Sequence, residues 1–211
     1  MKKNINYSLY MITDDNYENY DDLSNIITEA IKGGVNILQL REKSSNSHDF
    51  YKIAIKINEI TKQYNIPLII NDRIDIALAV NSQGVHLGQE DLPAKIARDI
   101  LGNNKIIGVS AHNVKEAIKA EKDGADYIGV GAVFKTKTKK DTENLSPKKL
   151  KEITEQVTIP VIAIGGINQT NIYQLKDTGI EGIAVISAIS KSNNVEKTSE
   201  ELKKEILKIK R

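Results

Sequence analysis

The chain has 211 residues, with Lys plus Arg at 30 against Asp plus Glu at 28 and a formal charge of +2. That length permits one full-sized core, and the charge balance excludes a surface built as a whole to grip nucleic acid or lipid. It has no cysteine, which excludes disulfides, thiolate metal sites and cysteine nucleophiles.

The first residues, "MKKNINYSLYMITDD", carry two lysines but no sustained apolar run before acids arrive, so a secretory signal is not expected. No stretch reaches membrane-spanning length. The expected address is the cytoplasm.

Taken in chain order, eight short apolar runs read as strands: "YSLYMIT", "VNILQL", "PLIIN", "GVHLG", "KIIGVS", "DYIGVG", "PVIAIGG" and "GIAVIS". Between them lie stretches with apolar residues three and four apart, such as "DLSNIITEAIKGG", "SHDFYKIAIKINEITKQYN", "NVKEAIKAEKDG" and "SPKKLKEITEQV", which read as helices. Left-handed glycine C-caps are expected at Gly33-Gly34, Gly124 and Gly179. Such alternation means parallel strands joined by helical crossovers. Eight units with short connections and no composition break favour a single-domain α/β fold over residues 1–211, a closed (β/α)8 TIM barrel. An open sheet would more often carry a G-x-G-x-x-G after its first strand, and "MITDDNYENY" has none.

In such a barrel the carboxyl ends of the strands surround one mouth, where the chemistry sits. There the chain places "QLREK", "NDR", "HLGQED", "VSAH", "GAVFKTKTKKD", "AIGGI" and "VISAI". "AIGGIN" offers glycines whose bare backbone lets N–H groups approach an anion, and "VISAIS" opens a helical turn; after strands seven and eight, they resemble a phosphate cup. A tight turn is the plain alternative for Gly165 and Gly166.

Asp72 and Asp91 follow neighbouring strands and form a plausible Mg2+ pair; singly, each could be a helix N-cap. Alternation in the strand points Gln39, Arg41 and Lys43 one way and Leu38 and Leu40 outward against helices. Arg41 can fork onto phosphate oxygens, or could pair with Glu42 or another strand-end acid. Lys137 and Lys140 read as solvent-facing. His86 fits a hydrogen-bonded barrel residue as well as a catalyst, His48 a surface position at a helix start, and His112 lies next to a strand end near Ser110.

In order and spacing, "LYMITD", "QLREK", "NDR", "GVHLGQED", "GADYIGVGAVFKTKTKKD", "PVIAIGGI" and "GIAVISAI" resemble the thiamine phosphate synthase family, from about residue 9 to residue 190. The resemblance implies a transferase of thiamine biosynthesis. It would join 4-amino-2-methyl-5-hydroxymethylpyrimidine diphosphate to 4-methyl-5-(2-phosphooxyethyl)thiazole, releasing diphosphate through a pyrimidine cation.

The resemblance also implies a pyrimidine diphosphate site at Gln39, Leu40, Arg41, Glu42, Lys43, Asn71, Ser110 and Lys139, with Mg2+ on Asp72 and Asp91. Arg41, Lys43, Ser110 and Lys139 would act on the departing charge. The thiazole phosphate would meet Thr136, Lys137, Thr138, Gly166, Ile186 and Ser187. Val133 and Phe134 are expected to help exclude water. The partners are then two small molecules, with no nucleic acid and no membrane; a homo-oligomer stays open.

The chain departs from the family wording at Ala132 and Lys135, where proline is common, and at Gln83, where an acid is. The related thiazole tautomerase carries a histidine base at the position of Ala132, and alanine cannot take a proton. A regulator that had lost its chemistry would show a broken charge ring. A sugar-phosphate isomerase would want a base for carbon deprotonation rather than a carboxylate pair.

Overall fold

In the computed structural model, residues 5–14, 17–135 and 145–210 are described. Eight parallel strands close on themselves in sequence order. They are β1 (Leu9–Ile12), β2 (Ile37–Leu40), β3 (Leu68–Asn71), β4 (Gly84–Leu87), β5 (Ile106–Ala111), β6 (Tyr127–Val130), β7 (Val161–Ile164) and β8 (Gly182–Val185). Closure is made by β1 pairing with both β2 and β8, with Met11 opposite Leu38 on one side and Val185 on the other.

The helices on the outside are α1 (Tyr20–Lys32), α2 (Ser47–Gln63), α3 (Ile74–Ala79), α4 (Ala94–Leu101), α5 (Val114–Lys122), α6 (Pro147–Thr154), α7 (Ser187–Ser190) and α8 (Val195–Ile209). Their starts follow from short polar side chains. Asn19, Asn46, Asn113, Ser146 and Asn194 each accept a backbone N–H of the first turn, and Pro147 stands where its missing N–H costs nothing.

The period of two along each strand divides the core into two layers. Leu9, Met11, Leu38, Leu40, Leu68 and Ile70 face outward into one cluster with the helices. Tyr10, Ile37, Ile69, Ile106, Tyr127 and Ile162 fill the barrel itself. Leu38 and Leu40 are fully buried in the outer layer, as alternation predicts. Truncating either to alanine would cost about 2–5 kcal/mol.

Two expectations need correction. Each strand was to be followed by a helix, yet β7 is followed only by a 3-10 turn, Ile172–Leu175. Asn168 and Asn171 take local backbone N–H groups there, competing with a helical ladder. Of the glycine caps, Gly34 and Gly124 are left-handed at φ 101° and 90° just beyond α1 and α5. Gly33, however, is the cap of α1 at φ −73°, and Gly179 (φ 77°) lies beyond the 3-10 turn rather than at a helix end. No helix among the described residues is long and apolar enough to cross a membrane.

Candidate active site at the carboxyl ends of the strands

Two cavities open at the barrel mouth and share a wall. The smaller, about 140 Å3, is lined by Gln39, Arg41, Lys43, Asn71, Asp72 and Asp91, among others. The larger, about 460 Å3, is lined by Gly166, Ile186, Ser187, His112, Lys135 and Lys191, among others. Ser110, Gly129 and Ile186 belong to both. Residues at or beyond the ends of the seven strands β2 to β8 thus meet within one mouth.

In the smaller cavity the two carboxylates act together. Asp72 leaves β3 in a left-handed conformation, φ 60°, which aspartate tolerates better than most residues, and its N–H bonds His86 O at 2.9 Å. Asp91 turns back so that its Oδ2 accepts the Gly88 N–H at 2.7 Å. Burial pushes the Asp72 acid up; the Lys43 ammonium pulls it down, and the neighbouring Asp91 carboxylate pushes it up again. Lys43 forms an ion pair with Asp72 Oδ2.

Neither acid caps a helix. The N-cap position is Arg73 for α3 and Pro93 for α4, and neither has a side-chain cap bond. The capping alternative therefore falls away for both. A group of three or more metal-ligating side chains is not found among the described residues. Two carboxylates facing one cavity nonetheless suit an ion that takes its remaining oxygens from water and a substrate phosphate, as Mg2+ does.

Alternation beyond β2 decides which parts of "QLREK" face inward. Gln39, Arg41 and Lys43 line the cavity. The side chain of Leu40 lies in the outer layer, and Glu42 is buried, accepting the hydroxyls of Tyr17 (2.7 Å) and Ser45 (2.8 Å). The side chains of Leu40 and Glu42 thus do not line the smaller cavity, because a strand shows only every second residue to one face.

In the larger cavity, Gly165 and Gly166 have φ values of 101° and 65°, a backbone path that favours glycine. A Cβ on Gly166 would lie 2.6 Å from Lys135 O. The amides of Asn168 and Asn171 both donate to Gly166 O, which holds the turn. Ser187 begins the single turn of α7. His112 is held by Glu116, whose Oε2 accepts both its backbone N–H and its Nδ1. Burial pushes the Glu116 acid up, but the donors of His112 and Asn113 outweigh this and hold it below its ordinary range.

Thr136, Lys137, Thr138, Lys139 and Lys140 lie outside the described residues. Val133 was expected to keep water from the mouth, but it packs in the outer layer, and Phe134 packs against the same layer. His48 is exposed near the start of α2, as its position suggests. Sequence reasoning did not single out Lys191, which lines the larger cavity and pairs with Asp14 at 3.7 Å. Its one signal was its position a turn beyond "VISAI".

The family model described as thiamine monophosphate synthase matches residues 9–189. A thiamine-phosphate synthase of Methanobrevibacter smithii is 55% identical over 202 residues, covering 96% of each chain. One of Clostridium tetani is 55% identical over 200 residues, covering 95% of this chain and 96% of that one. The solved thiamine phosphate pyrophosphorylase of Pyrococcus furiosus superposes with a TM-score of 0.87 at 39% identity, covering 97% of each chain.

Proposed function

The chain belongs to the thiamine monophosphate synthase family, transferases of thiamine biosynthesis, and from that premise we propose how its own residues carry the reaction. The smaller cavity takes 4-amino-2-methyl-5-hydroxymethylpyrimidine diphosphate and the larger takes 4-methyl-5-(2-phosphooxyethyl)thiazole. The observation that carries this reading is the shared wall. An electrophile in one chamber and a nucleophile in the other meet beside Ser110, Gly129 and Ile186.

Cleaving the carbon–diphosphate bond leaves a cation on the pyrimidine and negative charge on the departing group. The barrier falls when fixed positive groups already face the place where that charge appears. Arg41 suits this role through its planar fork and Lys43 through its compact charge. Mg2+, held by Asp72 and Asp91, would neutralise charge on the departing diphosphate. Lys139, which lies outside the described residues, is proposed as a further cation on the same group, and Asn71 as a polar contact.

The thiazole nitrogen then attacks the pyrimidine carbon. Gly166, Ser187 and the backbone at Ile186 are proposed to hold the thiazole phosphate, together with Thr136, Lys137 and Thr138. Lys135 and Lys191 stand at the same cavity and raise its positive potential. The apolar side chains of Ile164 and Ile186 line both chambers and limit access of water, the competing nucleophile.

Because the bond breaks before the new one forms, no protein nucleophile is needed. The methyl of Ala132 at the larger cavity gives the tautomerase alternative no base at that position. Cytoplasmic location and self-association belong to this same reading.

The test is to incubate the purified protein with both substrates and Mg2+. Diphosphate and thiamine phosphate are expected to appear in equal amounts. Diphosphate without thiamine phosphate would show that water reaches the cation, and neither product would remove the reading.

A further inference from the structure

We propose that His86 is a positioning residue, oriented with a proton on Nε2 by a one-way hydrogen-bond chain through the barrel, so that Ser110 presents its hydroxyl proton to the substrate. This rests on the reading of Ser110 as a contact of the pyrimidine diphosphate. The chain itself stands on geometry alone.

Five side chains from five strands make the chain. Gln39 Nε2 donates to Tyr10 OH at 2.9 Å, Tyr10 OH meets Tyr127 OH at 2.8 Å, and Tyr127 OH meets His86 Nδ1 at 3.0 Å. His86 Nε2 then meets Ser110 Oγ at 3.0 Å. Tyr10 and Tyr127 are 1% and 0% exposed and Gln39 is 2% exposed, so water is no ready substitute partner. Burial pushes both phenols well up, and each keeps its proton.

The direction of the chain follows from counting protons. An amide N–H only donates, so Tyr10 oxygen accepts from Gln39 and the Tyr10 proton goes to Tyr127. Tyr127 must then donate to His86 Nδ1, which leaves the imidazole proton on Nε2, pointing at Ser110 oxygen. Ser110 accepts there, and its own proton remains for an acceptor in the cavity. The other tautomer would make Tyr127 donate towards Tyr10 and strand the Tyr10 proton at a buried oxygen. That leaves a desolvated donor unpaired.

The sequence makes room for this chain. A Cβ at Gly108 would fall 2.1 Å from Cζ of Tyr127, and one at Gly129 would fall 3.2 Å from Cε1 of His86. Both glycines sit on the inner face, Gly108 opposite Tyr127 and Gly129 opposite Ser110. Strand glycines otherwise weaken a sheet. Here they admit two rings across the barrel.

Nitrogen NMR of isotope-labelled histidine in the folded protein reads the tautomer directly. The wild type is expected to show His86 protonated on Nε2 only. Gln39→Glu, read on the alkaline side where the new carboxylate only accepts, should reverse every bond and move the His86 proton to Nδ1. Protonation on Nδ1 or on both nitrogens in the wild type, or a tautomer unmoved by Gln39→Glu at any pH, would overturn the proposal.

Kinetics give a second arm. His86→Leu should raise KM for the pyrimidine diphosphate about tenfold, and His86→Gln, whose amide can still donate to Ser110, should recover most of it. Equal KM values for His86→Leu and wild type would count against it. Because the spectra need no turnover, inactive wild type with the Nε2 form would sink the synthase reading alone. Active wild type with the Nδ1 form would sink the chain alone.

Discussion

Lys43, beyond the end of β2, forms an ion pair with Asp72 from the end of β3, across the mouth of the smaller cavity. The cation proposed to meet a departing diphosphate thus also balances one of the two acids proposed to hold Mg2+. Both roles belong to one charge cluster, so substitutions within it should not act independently.

Asp72→Asn keeps the shape of the side chain but removes one anionic oxygen donor. The Mg2+ concentration for half-maximal rate should rise about tenfold or more, and turnover at limiting Mg2+ should fall. Wild-type turnover of this variant at limiting Mg2+ would mean that the metal lies elsewhere.

Arg41→Lys keeps the charge and loses the fork. KM for the pyrimidine diphosphate should rise roughly tenfold, while KM for the thiazole phosphate stays near wild type. Steady-state kinetics with each substrate varied in turn separate the two.

Gly166→Ala asks an alanine to adopt a left-handed conformation and brings its Cβ to 2.6 Å from Lys135 O and 2.9 Å from Phe134 O. The turn must shift, so KM for the thiazole phosphate should rise with little change for the pyrimidine diphosphate. The local strain costs about 1–3 kcal/mol, read as a lower Tm.

Lys203 on α8 gives a pH prediction remote from the site. Burial lowers its ammonium from 10.5 to about 8, with Lys210 adding to the effect. Between those values the unfolded chain binds more protons than the folded one, so stability rises with pH across the window. The penalty is full below about 8 and relieved as pH approaches 10.5. Lys203→Met should therefore have a higher Tm than wild type near neutrality, with the gap closing in alkali. A gap that widened with pH would reverse the sign of this argument.

The ring of strand ends was legible because each apolar run is short and ends in residues that cannot belong to its core, as at "NDR" and "QLREK". Period two separated Arg41 and Lys43 from Leu40, and applied as strictly to Glu42 it would have excluded that side chain as well. The capping alternative for Asp72 and Asp91 could not be settled from sequence. It depends on where α3 and α4 begin, and helix boundaries respond to tertiary packing.

The hydrogen-bond chain was not visible, since Tyr10 and Tyr127 are 117 residues apart and only closure of the barrel joins them. His86 had been left between a structural and a chemical role, and its two ring contacts show the hydrogen-bonded residue. The available signal was the glycine spacing in "KIIGVS" and "DYIGVG". It reads as space for a large ring only once Tyr127 is known to lie opposite.

A crystal structure of the protein with thiamine phosphate, diphosphate and Mg2+ tests the two-chamber arrangement most directly. The account predicts diphosphate against Arg41 and Lys43 with the metal on Asp72 and Asp91, and the thiamine phosphate ester against Gly166 and Ser187. Both phosphate groups in one chamber, or diphosphate bound away from Asp72 and Asp91, would contradict it.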